Sequence, residues 1–162
     1  MTTSTHTTTF TTPTATSVVA TRTFDAPRAL VFAAHTEPEH IRAWMLGPEG
    51  WTMPVCEVDL RVGGGWHFVW SKDDGSVMDM TGTYLEVDPP AQLVSSESWG
   101  PEWPSTVNTL ALSEEDGRTT MTYTVEFDSE QSRDAALATG MTSGMDVSYT
   151  RLAARLGATG QG

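Results

Sequence analysis

The stretch from Gly140 to Leu156 constrains the fold most, because it reads as a long amphipathic helix preceded by a chain made largely of strands. Met141, Met145, Ser148, Leu152 and Leu156 recur every three or four residues, which places them on one helical face. Tyr149 flanks that face, while Asp146, Thr150, Arg151 and Arg155 fall mostly on the other side. Arg151 and Arg155 sit in the last turns, where cations suit the helix dipole, and Gly157 is expected to cap the helix. A single amphipathic helix must bury its stripe on something, and here that something is a sheet. A long helix on one curved antiparallel sheet can leave a cavity between them, and function is expected there.

Ser17 to Phe24 reads as the first strand, with Val18, Ala20, Arg22 and Phe24 opposite Val19, Thr21 and Thr23. Asp25 is expected to cap a short helix, with Pro27 in its first turn and Leu30, Val31 and Ala34 buried. Thr36 and Glu39 have capping-box spacing for a second short helix, which carries Ile41, Trp44 and Met45 and stops at Gly47-Pro48. Six further strands follow over residues 53–59, 66–70, 77–87, 92–99, 105–113 and 119–127. Asp74-Gly75 marks a hairpin turn, and Gly82 is expected to mark a bend or bulge. A polar helical lead-in, Ser129 to Thr139, precedes the long helix. Strands flanked by helices in this order make an α+β domain, and no internal repeat interrupts it. Residues 1–16, mostly threonine, are expected to be a disordered tail, residues 17–157 one domain, and residues 158–162 a disordered end.

The net charge of −12, with Lys72 the only lysine, argues against nucleic acid and against an anionic membrane surface, since both need clustered cations. Cys56 is the only cysteine, so no internal disulfide is possible, which fits a reducing cytoplasm; a buried, inert thiol is expected there. No run is apolar enough to span a membrane, and the N-terminus has neither the basic start nor the apolar segment of a secretory signal.

Four motifs in order carry a family resemblance: Arg22-Thr23-Phe24-Asp25-Ala26-Pro27; Asp59-Leu60-Arg61-Val62-Gly63-Gly64-Gly65-Trp66; Gly82-Thr83-Tyr84-Leu85-Glu86-Val87-Asp88-Pro89-Pro90; and Gly140 through Leu156. Over residues 17 to 157 the chain resembles the START-like (SRPBCC, birch-pollen-allergen-like) superfamily. It is most similar to the bacterial branch related to the C-terminal domain of the Hsp90 ATPase activator. The resemblance implies a helix-grip fold, a curved seven-stranded antiparallel sheet around the C-terminal helix, with a cavity for apolar ligands between them. Members bind lipids, hormones or polyketides, and some are aromatases or cyclases. The branch commonly has tryptophan near Met145 and leucine near Tyr149, which implies a differently shaped pocket here. The resemblance does not imply chaperone activation, because that activator docks its chaperone through a separate N-terminal domain that the Thr-rich tail does not replace.

Trp66, Phe68, Trp70, Met78, Met80, Met121, Tyr123, Met141 and Met145 are expected to point to one interior, where they either fill a solid core or wall a pocket. The resemblance favours the pocket, and with Trp44, Trp99 and Tyr149 these make the expected ligand-binding set. Trp44, Trp51, Trp99 and Trp103 are placed to close its mouth. His35 and His40 bracket Glu37 and Glu39 without the spacing of a zinc helix, so no metal and no cofactor is expected. Three catalytic candidates stand out as weak ones: His67 and Asp79, both out of phase with the aromatic face, and Glu97. The reading that follows is a cytoplasmic protein, monomer or homodimer, binding a small hydrophobic, aromatic molecule. One alternative is a cyclase, dehydratase or hydrolase acting on a polyketide-like or aromatic substrate in the same cavity. Another is a protein-interaction module built on Trp51, Trp99 and Trp103.

Overall fold

The computed structural model describes residues 7–100 and 103–159. What was expected of residues 1–6, 101–102 and 160–162 lies outside the described residues. In chain order the elements are β1 (Thr9–Thr11), β2 (Ser17–Phe24), α1 (Arg28–Thr36), α2 (Pro38–Trp44), β3 (Trp51–Val58), β4 (Gly65–Lys72), β5 (Val77–Asp88), β6 (Gln92–Ser98), β7 (Thr106–Glu115), β8 (Arg118–Glu126), α3 (Glu130–Ala138) and α4 (Met141–Thr159). The strands form one antiparallel sheet in the order β1-β2-β8-β7-β6-β5-β4-β3. Hairpins link β3 through β8 in sequence, and α1 and α2 carry the chain from β2 across to the far edge at β3.

Among the described residues the sheet has eight strands where seven were expected. The added one comes from the threonine-rich segment, expected to be disordered: Thr9–Thr11 pairs with Thr21, Ala20 and Val19, and Phe10 packs on the core. Threonine is β-branched and suits a strand. The edge of β2, otherwise bare, supplies the missing backbone partners.

Several local expectations shift for identifiable reasons. Neither Asp25 nor Thr36 caps a helix: Pro27 and Glu37 hold the N-cap positions. Asp25 pairs with Arg118 at 3.3 Å, and the Thr36 hydroxyl donates to the Phe32 carbonyl. The start of α1 is instead met from across the fold, where the Arg28 amide donates to Glu114 Oε1 at 2.9 Å. Gly157 does not end α4, which continues to Thr159. In β3 a register shift between Thr52 and Val55 puts both Met53 and Cys56 inward, so strict alternation fails there.

The bulge expected at Gly82 lies between Tyr84 and Glu86 instead, and Gly82 keeps register with Trp66 on one side and Glu97 on the other. Its role is space. The Trp66 ring lies across it, and a Cβ at position 82 would sit 2.2 Å from that ring. Gly65 is confined in the same way, since its Cβ would meet the Gly82 carbonyl oxygen at 2.0 Å.

The C-terminal half of α4 is buried against the sheet. Leu152 and Leu156 pack there with Phe24, Val31, Leu112 and Met121. Arg22 is buried on the inner face of β2 and donates to Thr8 and Thr150, with Asp146 at 3.8 Å. Arg151 and Arg155 do more than face the helix dipole. Arg151 donates to the carbonyls of Trp44 (2.9 Å) and Gly47 (3.0 Å), and Arg155 donates to His40 Nδ1. These contacts fasten α2 to α4.

Candidate functional site

The space between helix and sheet is a wedge. Along α4, Leu152 and Leu156 are buried against the sheet, whereas Met141, Gly144, Met145, Ser148 and Tyr149 line an open cleft. The same divide runs through the strands. Leu112 and Met121 are core, while Leu110, Asn108, Tyr123 and Val125 line the cleft. The cleft holds about 1060 Å³, and its lining runs from α3 and α4 to Trp99, Gly100, Trp103 and Pro104.

Its walls are mostly aromatic. Trp66, Phe68 and Trp70 stand along the inner face of β4, with centroids 6.0 and 5.9 Å apart in successive pairs. Trp70 stacks on Trp99 at 5.5 Å and 13°. The Trp70 indole N–H donates to the Met45 carbonyl at 2.7 Å, tying the wall to the end of α2. On the helical side Trp44 stacks on Tyr149 at 5.7 Å, and its N–H donates to the Ala34 carbonyl at 2.8 Å. Ser148 Oγ accepts the Gly47 amide at 2.8 Å, which holds the loop after α2 against α4.

One polar cluster interrupts these walls. Glu97 on β6 points inward, with Oε1 accepting the Trp99 indole N–H and Oε2 accepting from Asn108 Nδ2, both at 2.7 Å. The same amide nitrogen donates to the Tyr123 hydroxyl at 2.8 Å. Thr106 donates to Asn108 Oδ1 at 2.8 Å and so orients the amide with its NH2 toward Glu97. The carboxyl keeps some surface open to the cleft, yet protein surrounds it. Burial pushes it up to about 7, against the two hydrogen bonds that favour its charged form. Burial, and then the nearby Glu97 charge, push the Tyr123 and Tyr149 phenols well above their ordinary value. His35, edge-on to Trp44 at 4.9 Å, is pushed down to about 4 by burial. Its Nδ1–H donates to the Val31 carbonyl at 2.8 Å, which leaves Nε2 a buried acceptor without a protein partner.

Of the expected lining residues, Trp44, Trp66, Phe68, Trp70, Met80, Trp99, Tyr123, Met141, Met145 and Tyr149 line the cleft, and Met78 stands at its rim, 40% exposed. Met121 does not line it. That side chain is fully buried, because its position on β8 lies at the closed end of the wedge, opposite Arg22 and Leu112. Trp44 does not close the mouth but is buried behind Tyr149, whereas Trp51, Trp99 and Trp103 do stand at the rim.

Two of the three catalytic candidates are outside. His67 Nε2 and Asp79 Oδ1 pair at 3.0 Å, with Glu57 near His67 Nδ1, on the outer face of the sheet. Only Glu97 reaches the interior. Sequence reasoning passed over Asn108, Thr106, Ser95 and His35, all of which line the cleft. A signal was present for Asn108, which shares a strand face with Leu110 and Leu112 and so had to be an inward polar group.

An open antiparallel sheet gripping a long C-terminal helix, with a cleft between them, defines the helix-grip class of α+β domains. The profile of the family described as "Activator of Hsp90 ATPase homolog 1-like protein" matches residues 25–157, and the chain belongs to that family. Among solved structures, a Rhodobacter sphaeroides protein is 29% identical with a TM-score of 0.88, covering 94% of this chain and 99% of its own. A Staphylococcus epidermidis protein is 25% identical with a TM-score of 0.80, covering 93% and 94%. A protein from Nitrosomonas europaea is similar at 24% identity, with a TM-score of 0.78 and coverage of 88% and 94%, a likeness that shows the fold alone. No curated protein matches the chain in sequence. No helix among the described residues is long and apolar enough to cross a membrane.

Proposed function

We propose that this protein binds a small apolar ligand with an aromatic part in the cleft between the sheet and the N-terminal half of α4. The observation that carries this reading is the cleft itself, about 1060 Å³ walled by Trp66, Phe68, Trp70, Trp99, Met80 and Met145. Rigid aromatic and adaptable Met walls suit a ring system, and the clustered polar groups suit its orientation. Removing about 200 Å² of ligand surface from water would contribute about 5 kcal/mol before the costs of association. The net charge of −12 supports a small-molecule partner over nucleic acid, and the single buried thiol of Cys56 supports a cytoplasmic setting.

The test uses N-phenyl-1-naphthylamine, a neutral fluorescent probe. Saturable one-to-one binding is expected, and Ser95→Phe, which fills the cleft, is expected to abolish it while circular dichroism and the unfolding midpoint confirm the fold. Absence of saturable binding by the unmodified protein would overturn the reading.

A second reading, acid–base turnover in the same cleft, rests on Glu97. A carboxyl pushed up to about 7 can both hold and release a proton near neutral pH. Recovery of a chemically altered ligand after incubation, lost in Glu97→Gln, would favour turnover over storage.

A further inference from the structure

Among the described residues, no lysine or arginine pairs with the Glu97 carboxyl, and the lining contains neither. The groups around the carboxyl are Trp99 just past the end of its own strand, Gly82 across on β5, Thr106 and Asn108 on β7, Tyr123 on β8 and Tyr149 on α4. The titratable ones among them, both phenols, are neutral, as is His35 from α1 on the cleft wall. Asp79 also borders the cleft, but its carboxyl is exposed and pairs with His67 on the outer face of the sheet.

The neighbours of Glu97 are nevertheless arranged for the anion. A neutral carboxylic acid needs an acceptor for its proton. Here each carboxyl oxygen receives an N–H donor, and the Thr106 bond turns the Asn108 carbonyl away from it. Neutral donors stabilise a charge without balancing it. Each oxygen keeps a lone pair free for a ligand on the cleft side. Trp99, whose N–H edge meets the carboxyl, carries the Trp70 ring stacked on it, and the Tyr123 and Tyr149 phenols lie near enough to feel the Glu97 charge. Aromatic faces attract cations, most strongly where water is excluded.

We propose that the ligand of this cleft is a hydrophobic monocation, an apolar amine whose ammonium group pairs with Glu97 among the Trp99, Tyr123 and Tyr149 rings. This rests on the binding function proposed above and narrows its ligand class. The protein's net charge of −12 adds long-range attraction for such a cation. The ammonium replaces the proton that otherwise neutralises Glu97, so binding releases that proton.

The experiment compares 1-naphthylmethylamine, 1-naphthylmethanol and 1-naphthoate by isothermal titration calorimetry. At pH 8 the amine is expected to bind at least about tenfold more tightly than the alcohol, about 1.4 kcal/mol, and the carboxylate more weakly than either. The amine stays mostly protonated across pH 6 to 8, because an arylmethylamine lies only about one unit below the lysine value of about 10. Its affinity is therefore expected to fall towards tenfold per pH unit below about 7, as protons compete for Glu97, while that of the alcohol stays flat. In Glu97→Gln the preference for the amine is expected to collapse. Equal binding of amine and alcohol, or a preference that persists in Glu97→Gln, would overturn this inference and leave the binding function standing. Failure of all three probes, together with the neutral fluorescent one, would overturn both.

Discussion

Asn108 Nδ2 lies 2.7 Å from Glu97 Oε2 and 2.8 Å from the Tyr123 hydroxyl, so one amide nitrogen holds a carboxylate and a phenol at once. The bond to Glu97 favours the charged carboxylate. Replacing Asn108 by Ala is therefore expected to push the Glu97 carboxyl above its value of about 7. A carboxyl 13C titration checks this, and a downward shift would contradict the assigned hydrogen bond.

The same carboxyl makes stability depend on pH in a definite direction. Its pKa rises from the ordinary 4.5 in the unfolded chain to about 7 in the fold. The folded state therefore holds the proton more tightly, and stability falls as pH rises from 4.5 to 7, then levels off. The full shift corresponds to about 3 kcal/mol. Glu97→Gln removes this titration but leaves one N–H donor facing an NH2 group, a loss of about 1 kcal/mol. The ligand-free variant is expected to be more stable than the parent by about 2 kcal/mol at pH 8, with the advantage gone by pH 4.5. Urea denaturation at both pH values measures the difference.

Gly82 cannot carry a side chain while Trp66 keeps its place, because a Cβ there would lie 2.2 Å from the indole. Gly82→Ala must turn Trp66 toward the cleft or bend β5, at a cost of about 2 to 3 kcal/mol. A lower urea midpoint, with weaker binding of the naphthyl probes, is the expected result. An unchanged midpoint would mean the ring has room to move.

Arg151 holds the end of α2 by donating to the carbonyls of Trp44 and Gly47. In Arg151→Met both acceptors lose a charged donor, at a cost of about 2 to 3 kcal/mol. The effect should be local. Amide exchange at Met45 and Leu46, which bond to Ile41 and Trp44, is expected to accelerate more than exchange in β8. Uniform acceleration would instead indicate a global loss of stability.

Local pattern was enough to read the order of elements from β2 onward, the phase of most strands though not of β3, and the apolar stripe of the long helix. Ser17–Phe24 is a strand over the full range read from its alternation. Leu152 and Leu156 are buried as their spacing requires, and His67 and Asp79 face outward as their phase requires. These are local properties, set by periods of two and 3.6 residues that side-chain direction imposes. What lay beyond reach depends on distances between elements. Met121 and Tyr123 sit two residues apart on one strand face, yet one is core and the other walls the cleft, because the packing of α4 on the sheet decides where the gap opens. Thr9–Thr11 becomes a strand only because the edge of β2 is free to pair with it. Glu97 lies inside with an amide and an indole on its oxygens because the β6–β7 register brings Asn108 within reach, and no local pattern in residues 92–99 encodes that register. Periodicity tells a side chain which way to face; only packing decides whether it meets a wall, a partner or open space.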